Sequence, residues 1–137
     1  MSGPLVDLAW TAAAIIAFGG CILRGGVHRA AGSVAGLVWA LSLSVDRFDW
    51  PAERALLFVF DLALAAGLVW LTRTCRAPWL IFTAASAVLL LVNYGVYALH
   101  PAVSGWAFVS VSWVWSACVL AGLLWGVVVG PERISRP

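Results

Sequence analysis

Five apolar stretches, about Leu5–Leu23, Ala30–Val45, Ala55–Thr72, Trp79–Leu99 and Trp106–Gly130, leave this chain few folds to choose from. At about 1.5 Å per residue, roughly 20 helical residues cover a hydrocarbon layer of about 30 Å. The runs are continuously apolar with no alternation, which disfavours the strands of a barrel. Backbone N–H and C=O groups in lipid must then be satisfied within each segment, and only a helix does that. The expected fold is all-α: a polytopic integral membrane bundle of five transmembrane helices, forming one domain over residues 1–137. The second stretch is the shortest, and His28 and Arg29 crowd its start. A four-span bundle with that stretch as an interfacial helix is the alternative.

Composition agrees with a membrane chain. A hydrophobic fraction of 64%, a charged fraction of 10% and a mean hydropathy of +1.01 lie outside the range of soluble domains. Within 137 residues, five spans leave no room for a soluble domain. Eight arginines and no lysine stand against six acids, and the arginines fall in ones and twos at span ends. They form no basic stripe, which excludes nucleic acid as a partner. The arginine-only, Ala/Gly/Val/Trp-rich usage points to a bacterial source. The N-terminal Met1-Ser2-Gly3-Pro4-Leu5-Val6-Asp7 lacks a positive n-region, and the first span is expected to be retained.

Loop charges set the orientation. Arg24 and Arg29 flank the first connection, Arg73 and Arg76 lie in the third, and Arg133 and Arg136 follow the last span. The N-terminus and the His100–Gly105 loop carry none, and in the second loop Arg47 and Arg54 are offset by Asp46, Asp49 and Glu53. The positive-inside rule then favours a bacterial inner (cytoplasmic) membrane location with the N-terminus outside and the C-terminus in the cytoplasm.

That topology gives each polar residue a depth. Asp61 interrupts an otherwise apolar span about 12 Å from its outer end. An ionisable group there costs roughly 2.5–3.5 kcal/mol on insertion scales, so it marks a functional site by default. Asn93 sits about 9 Å deep on the fourth span. Asp7, Thr11, Ser42, Ser44, Tyr94, Tyr97, Ser110, Ser112 and Ser116 share the outer half, while the inner half is nearly all aliphatic. An outward-facing polar ligand or ion site is expected, formed by Asp61, Asn93, Tyr94, Ser112 and Trp113. The bland alternative is a carboxyl that only locks helix packing.

Tryptophan has two roles. Trp10, Trp50, Trp70, Trp79, Trp106 and Trp125 fall near span ends and read as an anchoring aromatic belt. Trp39, Trp113 and Trp115 sit deeper and suit a pocket for a cation, a lipid headgroup or a flat isoprenoid or pigment ring. No cofactor is expected beyond such a bound lipid, isoprenoid or pigment. Glycines at Gly122, Gly126 and Gly130, and at Gly32 and Gly36, make flat faces for close helix packing, within the chain or between copies. Cys21, Cys75 and Cys118 show no disulfide or metal spacing, and His28 and His100 fall on opposite sides and read as interfacial. Asp46, Asp49, Glu53 and His100 read as a solvated loop, so no metal site is expected.

No nucleophile with its base, intramembrane carboxylate pair or phosphate-cradling loop is present, so a non-enzymatic role is expected. The leading expectation is an accessory or structural subunit in a larger membrane complex, with membrane lipid and other subunits or copies of itself as partners. The alternative is a small homo-oligomeric transporter or channel coupled through Asp61. A simple pore within one chain is disfavoured, because the inner half offers no polar path.

Overall fold

The computed structural model describes residues 4–45, 53–100, 102 and 104–129; the side chains of residues 4–7, 44, 45, 53 and 54 fall outside the description. Five helices follow one another: α1 (Pro4–Arg24), α2 (Gly26–Val45), α3 (Glu53–Thr74), α4 (Pro78–Leu99) and α5 (Gly105–Val129). No strand occurs among the described residues. Among the described residues, three helices are long and apolar enough to cross a membrane, over Ala55–Thr74, Pro78–Leu99 and Gly105–Val129, and Leu8–Arg24 is a shorter apolar helix.

Local chemistry explains the breaks. Gly25 and Gly26 have φ of 78° and 54°, left-handed values that glycine adopts without a Cβ clash, so α1 reverses into α2 almost at once. As a result α2 starts four residues before the expected Ala30 and takes His28 and Arg29 into its first turn. The Arg29 Nε donates to the Ile22 carbonyl at 3.2 Å, which caps the end of α1. Pro78 opens α4, where a missing N–H costs nothing. At the end of α3, Thr72 and Thr74 donate to the Val69 and Leu71 carbonyls at 2.6 and 2.8 Å.

The helices form a ring in chain order. Each packs on its sequence neighbour, α1 closes the ring on α5, and α2 also touches α5 across the middle. Glycines set the close approaches. A Cβ on Gly32 would lie 2.6 Å from the Cys21 Cβ of α1, and one on Gly126 would lie 2.7 Å from the Trp79 ring of α4. Gly122 sits against Thr83 and Phe82. Gly36 faces Phe18 at ordinary contact distance, and Gly130 lies outside the described residues.

The largest fully buried side chains are Trp79, Leu68, Leu80, Leu123, Thr83 and Cys21, all in the half of the bundle where α1, α3 and α5 end. We call this the Arg24 end and the opposite one the Trp10 end. The core therefore occupies one half of the ring, and the other half is hollow.

Candidate functional site

The hollow half is a partly open cavity of about 580 Å³ to which all five helices contribute. Phe18, Ala35, Leu64, Leu90 and Leu120 make an apolar floor on the side of the core. Nearer the Trp10 end the wall turns polar and aromatic: Trp10 and Thr11 from α1, Trp39 and Ser42 from α2, Asp61 from α3, Tyr94 from α4, and Ser112, Trp113 and Ser116 from α5. Thr11, Leu43 and Trp113 are exposed, so the lining reaches the surface. Asp61 lies eight residues into α3, about 12 Å along its axis.

The Tyr94 hydroxyl donates a hydrogen bond to the Asp61 carboxylate. Edge-on contacts with Phe58 at 5.6 Å and Phe108 at 5.0 Å hold the Tyr94 ring, so the phenol is aimed before any ligand arrives. The Ser42 hydroxyl donates to Val38 O and the Ser112 hydroxyl to Phe108 O, each at 2.9 Å. Those protons are committed to the helices. Among the described residues, Asp61 is the one acidic side chain of the lining, and no Arg, Lys or His joins it. Trp10 and Trp113 meet edge to face at 5.1 Å, and Trp39 tilts against Phe18 at 5.8 Å. Among its described residues the cavity thus combines a single carboxylate, hydroxyl groups and three indole rings.

Of the expected site residues, Asp61, Tyr94, Ser112 and Trp113 come together here. Asn93 does not line the cavity. Its amide donates to Phe108 O at 3.1 Å and to Ser112 Oγ at 2.9 Å, which ties α4 to α5. Successive helical residues point about 100° apart, so Asn93 and Tyr94 cannot both face Asp61. Trp39 joins Trp113 in the lining, whereas Trp115 does not. Asp46 and Asp49 lie outside the described residues, as does the side chain of Glu53. Among the described residues, no group of three or more His, Cys, Asp or Glu could hold a metal ion.

Two features of the core depart from the sequence reading. Trp79, expected in the aromatic belt, is 1% exposed, and His28, expected at the interface, is buried against it. Their rings stack at 4.6 Å with 22° between planes. The His28 Nε2–H donates at 3.1 Å to Gly126 O, a carbonyl in the last turn of α5. Among the described residues, the Trp79 Nε1–H has no hydrogen-bond partner. Gly126, which opens space for the indole, was the available signal; nothing local in the sequence pairs it with position 79. Trp70, Trp106 and Trp125 remain on the surface, at 63%, 82% and 44% exposure, as a belt requires.

Comparisons with protein-family models, with curated proteins and with solved structures give no significant match.

Proposed function

We propose that this chain is a small, non-enzymatic, five-span membrane protein whose cavity binds an organic cation at Asp61. The N-terminus and the cavity face outward, and the arginine-rich connections face the cytoplasm. The observation that supports this most is the pairing of one carboxylate with Trp10, Trp39 and Trp113 around about 580 Å³ of space, with no basic side chain among the described residues of the lining. That volume falls within the roughly 300–1,000 Å³ typical of small-molecule sites. An ammonium there meets both a counter-charge and aromatic faces, each worth more where water is scarce.

The closed Arg24 end favours holding a ligand over conducting one. Below the floor the ring is filled by Leu68, Trp79, Leu80 and Leu123, and the His28–Trp79 stack ties α2 to α4 and α5. An accessory, ligand-holding subunit of a larger membrane assembly is the role that suits short loops and a dead-end site. A transporter would have to take this core apart in each cycle.

Tetramethylammonium, which is soluble and does not partition into lipid, is the direct probe. Titrated onto the protein in phosphatidylcholine nanodiscs, it should bind saturably and perturb tryptophan fluorescence. Asp61→Asn should weaken it at least tenfold, about 1.4 kcal/mol. Equal binding by wild type and Asp61→Asn, or no saturable binding at all, would sink the reading.

A further inference from the structure

The cavity shares part of its wall with the outside of the bundle. Trp10 and Leu120 line it and also line a second hollow of about 470 Å³ between α1 and α5, whose described lining residues are all apolar. Alanines open that hollow: Ala9 and Ala13 from α1, Ala117 and Ala121 from α5. Among neighbouring helices of the ring, α1 and α5 are the one pair that no loop joins. Across this seam, at the level of the site, the Trp10 ring meets Trp113 edge to face. Trp10 therefore stands between an apolar hollow on the surface and an acidic, aromatic cavity inside.

We propose that the occupant is a cationic amphiphile drawn from the membrane, its ammonium headgroup at Asp61 and its hydrocarbon chain lying past Trp10 in the α1/α5 hollow. The proposal rests on the cation-binding reading above and adds the ligand class and the route. Charge fixes the head, since among the described residues the lining offers one carboxylate and no cationic side chain. Adjacency fixes the tail, because Trp10 and Leu120 are the wall that the two hollows share and the outer one carries no polar side chain among its described residues. Moving a chain from lipid into an apolar groove gains little by itself. The advantage is one of concentration: the membrane holds the amphiphile at the seam, and the hollow lets the head reach Asp61 while the tail stays in an apolar phase.

Displacement of radiolabelled tetramethylammonium in phosphatidylcholine nanodiscs tests this. Decyltrimethylammonium should displace it at a concentration at least tenfold lower than unlabelled tetramethylammonium does. Decyl maltoside, with the same chain and a neutral head, should not. Ala121→Phe fills the hollow from an exposed position, and should abolish the decyl advantage while leaving tetramethylammonium affinity unchanged. Ala9→Phe, also exposed, fills it from α1 and serves where Ala121→Phe loses tetramethylammonium binding. An Asp61-dependent tetramethylammonium site with no chain advantage would overturn the amphiphile and leave the cation site standing. An advantage that survives both phenylalanines would overturn the route. Equal displacement by decyl maltoside would overturn the cationic head. Tetramethylammonium binding that ignores Asp61 would instead remove the reading beneath.

Discussion

Two adjacent residues of α4 divide the polar work of the site. Tyr94 faces inward and donates to Asp61, while Asn93, one position earlier, bonds Phe108 O and Ser112 Oγ on α5. Substitutions should separate the two jobs. Tyr94→Phe keeps the ring contacts with Phe58 and Phe108 but removes the hydroxyl, so it should change tetramethylammonium affinity with little effect on stability. Asn93→Leu should do the reverse. Polar contacts between membrane helices average about 0.6 kcal/mol and reach about 1.7, and a loss in that range should appear in unfolding from mixed micelles, with affinity within twofold of wild type. An Asn93→Leu protein that folds normally yet loses binding would mean that Asn93 touches the ligand.

At the scale of the helices, much was legible in the sequence. The apolar runs mark α1, α3, α4 and α5 to within about two residues, because the polar or proline residues that end each run also end the helix. The start of α2 was not legible, since reading span limits from hydropathy discards His28 and Arg29, whereas the Gly25–Gly26 reversal brings both into the helix. Asp61, Tyr94, Ser112 and Trp113 could be grouped by depth alone. Depth carries no angular information, and so it admitted Asn93 and Trp115 and assigned Trp10 and Trp79 to the belt. The burial of Trp79 depends on a partner nearly fifty residues away, Gly126, which no local pattern reveals.

The α4–α5 contact gives a further prediction. Gly122 and Gly126 are filled from within the chain, by Thr83 and Trp79. Gly126→Leu should therefore destabilise the monomer, and unfolding should show it before any change in oligomeric state on a native gel. Trp79→Ala opens a large cavity and should cost about 3–5 kcal/mol. Trp79→Phe also removes an N–H that has no partner, and should cost distinctly less. Equal costs for the two would mean that the indole N–H makes a bond in the working protein.

At the scale of the molecule, the bundle is two unlike halves along one axis: a hollow with Asp61 in its wall at the Trp10 end, and a core with buried Cys21 at the Arg24 end. Thiol labelling from outside compares the halves directly. With Cys75 and Cys118 replaced by alanine, Cys21 stays as an internal control, and Ser42→Cys or Ser112→Cys adds a thiol to the cavity wall. A membrane-impermeant reagent applied to the side of the N-terminus should modify either introduced cysteine, tetramethylammonium should slow the reaction, and Cys21 should stay unmodified. Unreactive cavity cysteines, or a Cys21 that reacts as fast as they do, would contradict a one-sided, dead-end site.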